Sequence, residues 1–374
     1  MSELKMISEL KMVFSQLKVK NVELPNRIVF PPIATNFADK EGFVTNKLIN
    51  YLCDIAKGGT GLIIVENTAI NIEGRNLSNE PRLDDDKYIE DFRRLIDEVH
   101  KTGAKISIQL HHGGRSSSSN IHGCTPVAPS AIPCPLFKER PRPMTIEDIH
   151  RTIRDFAQAA LRAKEAGADA VEIHGASGFL PAQFLSPYAN KRTDEYGGSK
   201  ENRLRFPLEL IREMRKKIGP DYVIGYRFSG DEYVAGGLTL DDHKEIAPEL
   251  VKAGVDILHV TAGVLENVEE VGIVPSDKKE EGWHNYLAAG IKEVVNVPVI
   301  TVGKITSLVT AENVLRDNMA DLVSIGRALI ADPELVNKSR EGRFDDIVKC
   351  KQCNGCIHTL YYDGVMRCEV NSKI

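Results

Sequence analysis

Four of the seven cysteines lie within the last 25 residues of the chain, at the spacing Cys350-x₂-Cys353-x₂-Cys356-x₁₁-Cys368. Three thiolates this close together can wrap around a metal centre, and the fourth can complete its coordination. Four cysteine ligands suit tetrahedral zinc or an iron–sulfur cluster, and the spacing alone leaves both open. The odd total of cysteines argues against a disulfide framework.

A second group of residues with chemical potential follows short apolar runs along the chain. The group comprises Gln109 with the stretch His111–Arg115, then His174, Arg227, the pair Gly303–Lys304 and the pair Gly326–Arg327. Glycines after the last two runs suit a phosphate site built from backbone N–H groups. An arginine could neutralise a second negative charge. These residue types predict a phosphate-bearing cofactor and a redox or acid–base reaction.

Each of these residues also has a purely structural explanation. A glycine at a strand end is usually a turn residue, and a lone histidine there is more often structural than catalytic. Arg227 could simply be a salt-bridge partner. The functional interpretation is favoured because five strand ends would converge if the apolar runs are parallel strands.

The elements that would bring these residues together repeat as amphipathic helix, glycine and apolar run. In one repeat, Thr145 and Asp148 resemble a capping box, and apolar residues recur on one helical face up to Leu161. Gly167 is expected to end this helix in a left-handed conformation, and the buried run Ala170–His174 follows. Such repeats imply parallel strands joined by right-handed crossovers.

Eight strands are predicted in this way, at residues 28–30, 62–65, 106–110, 170–174, 222–226, 257–260, 299–302 and 322–325. Eight parallel strands favour a closed (β/α)₈ TIM barrel of the α/β class. The alternative, an open doubly wound sheet, would call for a Gly-x-Gly-x-x-Gly after an early strand, and the sequence has none.

Two loop-like segments interrupt the regular pattern. Residues 111–144 follow the third strand and residues 263–285 follow the sixth, so both are expected over the barrel mouth, where barrel enzymes place substrate contacts. The first residues repeat a short Ser-Glu-Leu-Lys-Met motif, which we interpret as an extension. The predicted organisation is therefore an extension over 1–13, a barrel over 14–345 and a cysteine-rich segment over 346–374.

The bulk composition excludes several classes of protein. Hydrophobic residues make up 42% and charged residues 27% of the chain, as in an ordinary globular protein. Apolar runs such as Gly61–Val65 are far too short to span a bilayer, and the N-terminus has no apolar signal core. A cytoplasmic protein without membrane contact is therefore expected. The net charge of −5 gives no reason to expect a nucleic-acid partner.

Several motifs together resemble the Old Yellow Enzyme family of NADH:flavin oxidoreductases, in the family's order along the chain. The motifs are Asn26–Pro32, Gln109–Arg115, Glu172–Gly178, Phe184–Pro187, Arg192–Ser199 and Gly326–Arg327. Each piece alone is weak, whereas the set is highly specific. The resemblance covers roughly residues 14–345, nearly the whole predicted barrel.

The resemblance implies FMN as the cofactor and assigns a place to each predicted site residue. Gln109 would bind the pyrimidine edge, and Arg227 would lie near N1, where a cation stabilises the reduced flavin. His174 would face the substrate and polarise a carbonyl. The remaining positions are Pro32, Ile33, Ala34 and Asn67 along the ring system, and Val302, Gly303, Gly326 and Arg327 at the phosphate.

The substrate side departs from the family pattern. Ser177 stands where the family usually has Asn or His, and it could still donate one hydrogen bond. Phe179 stands where a Tyr commonly protonates the substrate carbon, and Phe cannot donate a proton. Candidate replacements are Tyr233, His112 and water. Ala34 replaces the Thr or Cys that related enzymes often carry near the flavin.

The cysteine segment is similar to the [4Fe–4S] site of larger family members, of the 2,4-dienoyl-CoA reductase, 2-enoate reductase and trimethylamine dehydrogenase type. This resemblance assigns the four thiols of Cys350, Cys353, Cys356 and Cys368 to a cluster that exchanges single electrons with FMN. Those relatives continue into a flavin and nicotinamide module, whereas this sequence ends at Ile374. We therefore expect ferredoxin or a separate reductase subunit as electron donor, and homo-oligomerisation is left open.

The leading functional hypothesis is reduction of an activated C=C bond in a small molecule of the enone or enoate type. Reduced FMN would give a hydride from N5, and the cluster would resupply its electrons. A second hypothesis is oxidative demethylation or amine dehydrogenation, which would not need the missing tyrosine acid. A third is an electron-transfer subunit of a larger complex.

Overall fold

The barrel predicted from the sequence is present in the computed structural model, which describes residues 9–265 and 279–374. Eight parallel strands close on themselves in chain order. In these residues the strands are β1 Leu17–Val19, β2 Val22–Leu24, β3 Ile28–Phe30, β4 Leu62–Ala69, β5 Lys105–His111, β6 Val127–Ala128, β7 Arg142–Pro143, β8 Ala170–Gly175, β9 Val223–Ser229, β10 Ile257–Thr261, β11 Val299–Val302 and β12 Leu322–Ser324. The barrel consists of β3–β5 and β8–β12, so the predicted fold class is confirmed.

Helices follow the barrel strands and cover the outside. They are α1 Asn46–Lys57, α2 Ile89–His100, α3 Ser119–His122, α4 Ile146–Glu165, α5 Leu180–Leu185, α6 Lys200–Ile218, α7 Leu240–Ala253, α8 Asn285–Lys292, α9 Leu308–Arg316, α10 Arg327–Ala331, α11 Leu335–Arg340 and α12 Gly355–Tyr362. In the described part of the chain, no helix is long and apolar enough to cross a bilayer.

The helix α4 begins and ends as the sequence predicts. The Asp148 backbone N–H donates to the Thr145 hydroxyl over 3.1 Å, and the Thr145 N–H donates to the Asp148 carboxylate over 2.9 Å. This reciprocal capping box satisfies N–H groups that have no partner inside the helix. Gly167 follows with a φ of +99°, a conformation that glycine adopts without a side-chain clash.

The two ends of the barrel differ in character. At the amino end, the β1–β2 hairpin packs Val19, Val22 and Leu24 against the first residues of barrel strands, such as Leu62 and Ile257, in one apolar cluster. This hairpin closes the amino end. The carboxyl ends of the strands, which carry the polar residues singled out above, are therefore left to form the site.

The two predicted loop segments and the N-terminal extension are described in part. The segment 111–144 contains α3 and the short β6–β7 pair. Of the segment 263–285, residues 266–278 lie outside the described residues, as do residues 1–8 of the extension. Val13 is buried, and its N–H donates to the Glu312 carboxylate over 2.9 Å, so the last residues of the predicted extension pack on the barrel.

The cysteine-rich segment is held against the β3–α1 connection. The Met366 N–H donates to the Thr35 carbonyl over 3.0 Å, and the Asn36 amide donates to the Gly364 carbonyl over 2.5 Å. Met366 is itself buried. These contacts place the cysteines beside the chain that leaves the first barrel strand.

Candidate active site

One cleft at the carboxyl end of the barrel collects the sequence-predicted residues. Its empty space, counted out to the open mouth, is about 1350 Å³. All twelve residues predicted as catalytic or cofactor-binding line it, namely Pro32, Ile33, Ala34, Asn67, Gln109, His174, Ser177, Arg227, Val302, Gly303, Gly326 and Arg327. The convergence expected from the strand ends is therefore present in the structure.

Gln109 presents a free hydrogen-bond acceptor in this cleft. Its amide nitrogen donates to Glu172 Oε1 over 2.8 Å, which fixes the orientation of the side chain. Its carbonyl oxygen is buried and has no partner among the described residues. Glu172 Oε2 lies 2.9 Å from Nδ1 of His259. Gln109 can therefore accept a hydrogen bond from an N–H group of a bound ring system.

Arg227 is a buried cation on the same wall. Its side chain is 8% exposed, and Nε has no partner among the described residues. Burial lowers the pKa of Arg227, while the nearby Glu172 raises it. A buried guanidinium with unused donor capacity favours a ligand that carries or develops negative charge. This arrangement suits the electron-rich edge of a reduced flavin.

Gly303 and Gly326 lie where two sides of the cleft approach each other closely. Gly303 has a φ of +149°, and a Cβ there would lie 2.9 Å from the His284 Cβ. A Cβ on Gly326 would lie 3.0 Å from the Ile33 side chain. Glycine at both positions leaves backbone N–H groups accessible, as a phosphate cradle requires.

His284 is a cleft residue that the sequence analysis did not name, whereas Lys304, named there beside Gly303, also lines the cleft. Both ring nitrogens of His284 are buried without a partner among the described residues. Burial, followed by the charge of Lys279, lowers the pKa of His284 to about 3. His284 belongs to the loop after the sixth barrel strand, so only its position near the mouth could have drawn attention to it.

His174 is the titratable group on the substrate side of the cleft. Burial lowers its pKa well below the usual range, and the charges of His111, Arg227 and His259 act in the same direction. The imidazole is therefore neutral near pH 7, with one nitrogen donating and one accepting. A neutral imidazole can polarise a carbonyl by donating a hydrogen bond.

Ser177 and Phe179 complete the substrate side. Ser177 has a left-handed backbone with a φ of +59°, and its N–H donates to Ser229 Oγ over 3.0 Å. The Phe179 ring lies edge-on to His174, with ring centroids 4.6 Å apart. A hydrocarbon ring thus occupies the place beside the histidine where the resemblance would have put a phenol.

The two side chains proposed as replacement acids do not line the described cleft. The Tyr233 hydroxyl lies 2.5 Å from the Tyr286 hydroxyl. His112 accepts a hydrogen bond from the Gly114 N–H at Nδ1 over 3.1 Å. Tyr233 belongs to the loop after β9 and His112 directly follows β5, and neither is brought next to the substrate side of the described cleft. The neighbouring His111 instead packs against both Phe179 and His174.

The four cysteines of the C-terminal segment line a second, small cavity beside the cleft. Cys350 and Arg327 line both spaces. Backbone N–H groups point at two of the sulfurs, from Gln352 to Cys350 and from Gly355 to Cys353, each over 3.4 Å. Burial raises the pKa of the Cys356 thiol to about 11, and Arg327 lowers it.

The described residues contain no group of three or more His, Cys, Asp or Glu side chains arranged to hold a metal ion. The thiols therefore share a cavity without forming a coordination site in this structure. The donor set itself, four sulfurs of which two receive backbone N–H groups, has the chemistry that an iron–sulfur cluster requires.

A family comparison identifies the chemistry of the cleft. Residues 12–346 match the model of the NADH:flavin oxidoreductase / NADH oxidase family. The chain belongs to this family. The resemblance to the Old Yellow Enzyme family is thus confirmed. FMN as the flavin is supported by the family and by the unpartnered atoms of Gln109 and Arg227 in the cleft.

Individual relatives within this family fall into two sizes. An NADH oxidase from Thermoanaerobacter brockii is 48% identical over 363 residues, which cover 96% of this chain and 56% of that protein. A solved 2-naphthoyl-CoA reductase complex with 2-naphthoyl-CoA superposes with a TM-score of 0.93 at 31% identity, covering 97% of this chain and 57% of the other.

An Old Yellow Enzyme homologue from Zymomonas mobilis is of similar length to this chain. It superposes with a TM-score of 0.77 at 28% identity, covering 88% of this chain and 92% of the other. The chain thus spans a little over half the length of its larger relatives.

Proposed function

We propose that this protein reduces an activated C=C bond of an enone or enoate in the cleft at the barrel mouth. The observation that carries the proposal is His174, a buried neutral imidazole that lines the same cleft as the flavin-binding residues. Bound FMN supplies a hydride from N5. The protein binds and orients the substrate, polarises its carbonyl and supplies one proton.

Four groups of residues would hold FMN in the cleft. Gln109 would bind the pyrimidine edge through its free carbonyl oxygen, and Arg227 would place its guanidinium near N1. The ring system would lie along the end of β3 and beside the end of β4. The phosphate would take backbone N–H groups at the glycines after β11 and β12. The residues concerned at these places are Pro32, Ile33, Ala34, Asn67, Val302, Gly303, Gly326 and Arg327.

His174 and Ser177 would bind the substrate carbonyl. The donating nitrogen of a neutral His174 can hydrogen-bond the carbonyl oxygen and stabilise the negative charge that develops there. Ser177 lies in the same part of the cleft, three residues further along the chain. Its short hydroxyl leaves room for a substrate and offers a second hydrogen bond.

Mixing anaerobically reduced protein with a series of enones and enoates tests this function. Restoration of the oxidised flavin spectrum with formation of the saturated product is the expected result. His174→Leu should slow this step by about 10²–10³, the loss typical of one donor to a developing oxyanion. Ser177→Ala is the matched variant, and it should cost less because His174 remains. Reduced flavin that no enone or enoate reoxidises would rule out the proposal.

We further propose that Cys350, Cys353, Cys356 and Cys368 hold a [4Fe–4S] cluster that passes electrons to the flavin from a ferredoxin or a reductase subunit. Support comes from the shared cavity, the N–H groups directed at sulfur, and Cys350 lining both spaces. Iron and acid-labile sulfide near four per chain, absent after Cys356→Ser, are expected in anaerobically purified protein. Stoichiometric zinc without sulfide would contradict this assignment.

Oxidative demethylation or amine dehydrogenation is the second candidate function, and Phe179 is the observation that favours it. Phe179 places no proton donor beside His174, and oxidation does not need one at that point. Oxidised protein mixed anaerobically with methylated amines would then lose its flavin absorbance. Reaction in neither direction, with tight co-purification of a redox partner, would favour an electron-transfer subunit.

A further inference from the structure

A line of three buried side chains leads from the protein interior to the cleft. Oε1 of Glu80 lies 3.9 Å from Nε2 of His111. The ring centroids of His111 and His174 are 5.4 Å apart. Glu80 is 1% exposed and His111 is fully buried, whereas His174 lines the cleft. Of these three side chains, His174 is the one that lines the cleft.

Each member of this line carries a polar atom without a hydrogen-bond partner among the described residues. These atoms are Oε1 of Glu80, both ring nitrogens of His111 and Nδ1 of His174. The other carboxyl oxygen of Glu80 is held by the N–H groups of Asn76 and Leu77 over 2.7 and 3.3 Å. None of these four atoms is bonded to the next side chain of the line in this structure, so each keeps its capacity to donate or accept a proton.

The protonation states suit proton transfer without a charged imidazole. Burial raises the pKa of Glu80 to about 8, against the opposing effects of its backbone hydrogen bonds, of the Arg75 charge and of a hydrogen bond from the cleft residue Asn67. Burial, followed by the charge of His112, lowers the pKa of His111 well below its usual range. A carboxylic acid therefore faces a neutral imidazole, which has one donating and one accepting nitrogen.

We propose that Glu80 and His111 supply the proton that His174 delivers during the reduction put forward above, on which this inference rests. His174 Nε2–H gives its proton to the enolate oxygen that hydride addition creates. These side chains are not hydrogen-bonded to one another in this structure, and the proposal requires that the gaps close when substrate binds, as catalytic hydrogen bonds often do. His111 Nδ1–H then passes its proton to Nδ1 of His174, and the Glu80 carboxyl passes its own to Nε2 of His111. Both imidazoles end as the opposite neutral tautomer, and Glu80 ends as a carboxylate.

The proton balance closes in water. The enol product takes its keto form after release, and water in the open cleft returns one proton along the same line in reverse. The substrate has then gained one hydride and one proton in total. His174 is the group that touches the substrate, whereas Glu80 and His111 act through it as positioning residues.

Phe179 explains why this line would be needed. Its ring lies edge-on to both imidazoles, with centroid distances of 4.4 Å to His111 and 4.6 Å to His174. A phenyl ring donates no proton to either of them. Position 179 therefore carries no phenol, and His111, at the end of the adjacent strand β5, is the nearby group that can carry a proton.

Single-turnover kinetics of His111→Leu and Glu80→Gln test the proposal, with His112→Leu as the matched control for damage to a buried histidine. Reoxidation of the reduced flavin by an enone should slow by about 10²–10⁴ in the first two variants. The double variant should be no slower than His111→Leu, because the two groups act as a unit. Enone affinity, measured by perturbation of the oxidised flavin spectrum, should not change.

Two further variants make the kinetic result specific. Phe179→Tyr introduced into His111→Leu should restore part of the rate, because a phenol again lies beside His174. The wild type should show a solvent deuterium isotope effect that His111→Leu alters. A folded His111→Leu protein that reacts at the wild-type rate in both H₂O and D₂O would overturn the inference while leaving the proposed function intact.

An infrared pH titration of the protein provides a readout that does not depend on turnover. Burial raises the pKa of Glu66 to about 8 as well, so the wild type should show carboxylic-acid carbonyl bands from both residues that convert to carboxylate near pH 8. Glu80→Gln should remove one of these bands, Glu66→Gln the other, and His111→Leu should shift only the band that Glu80→Gln removes. If the wild type reduces no enone, the proposed function fails. The titration still tests whether Glu80 is protonated at neutral pH and whether His111 affects it. Absence of any band that Glu80→Gln removes would disprove the inference.

Discussion

At the scale of single residues, the cleft is built from atoms left without partners in the protein. Gln109 keeps a free carbonyl oxygen because Glu172 takes its amide hydrogen. Arg227 keeps a free Nε because burial separates it from water. Glu172, a buried carboxylate that does not line the cleft, acts on both residues: it binds the Gln109 amide and raises the pKa of Arg227 by its charge. Glu172 therefore moderates the charge that the flavin experiences.

The charge at Arg227 should control the reduction potential of the flavin. Arg227→Met should lower the midpoint potential by at least about 30 mV, equivalent to about 1.4 kcal/mol for a two-electron couple, because a cation that stabilises the reduced flavin is lost. Glu172→Gln should raise the potential, since the opposing negative charge is removed. Spectroelectrochemical titration of the FMN-loaded protein measures both. Shifts of the same sign in the two variants would contradict this electrostatic account.

At the scale of elements, the ends of a helix determine where the following strand begins. α4 runs from a capping box at Thr145 to a positive-φ glycine at position 167, and β8 then delivers His174 to the cleft. The box also contains an ion pair, because the Asp148 carboxylate lies 2.6 Å from an Arg142 nitrogen. The hydrogen bond from Arg142 is the largest effect that holds the pKa of Asp148 well below its usual range.

Removal of this cap should destabilise the protein by a predictable amount. Thr145→Ala should lower the free energy of unfolding by about 1 kcal/mol at pH 7, whereas Thr145→Ser should retain most of it because the hydroxyl remains. Urea unfolding followed by circular dichroism measures the difference. An equal loss in both variants would show that the methyl group, and not the hydrogen bond, is responsible.

The contribution of Asp148 should depend on pH. Its folded pKa lies below the unfolded value of about 3.9, so its stabilisation is complete above that value and is lost as the pH falls through the folded pKa. Asp148→Asn should therefore cost stability at pH 7, and the difference from wild type should shrink below about pH 4. A difference that is constant with pH would contradict the ion-pair explanation.

At the scale of the whole molecule, the closed barrel gives the site one open end. The β1–β2 hairpin covers the amino end, and the C-terminal segment packs beside the mouth through Thr35 and Asn36. The cleft and the cysteine cavity thereby share Cys350 and Arg327. A flavin in the cleft would contact several strands at once, so its binding should stabilise the fold as a unit.

Flavin binding should raise the thermal unfolding midpoint of the protein. FMN at about 100 times its Kd adds about 2.7 kcal/mol of stability, and riboflavin at the same concentration should add less because it lacks the phosphate. Differential scanning fluorimetry measures both shifts. Gly303→Ala should remove most of the advantage of FMN over riboflavin, because a Cβ there meets His284. Equal shifts for both flavins in the wild type would place the phosphate elsewhere.

The sequence by itself determined the eight strands, the cap of α4 and twelve of the residues that line the cleft. These follow from local rules: apolar periodicity places the strands, capping residues bound the helices, and parallel strands bring their carboxyl ends together. The predicted strand 222–226 is observed as Val223–Ser229, a small shift, because strand pairing and not residue type sets the last bonded residue.

Only the tertiary structure decided which polar side chains meet. His111 and His112 are neighbours in the same motif, yet His111 lies against His174 and His112 does not line the cleft. Successive residues at a strand end point to opposite sides, so one residue of register separates the two roles. Glu80 and His284 reach the site from distant segments, and no local pattern encodes such approaches. The strands and helices of this protein thus follow from local sequence, whereas the contacts that its proposed proton transfer requires follow from tertiary packing.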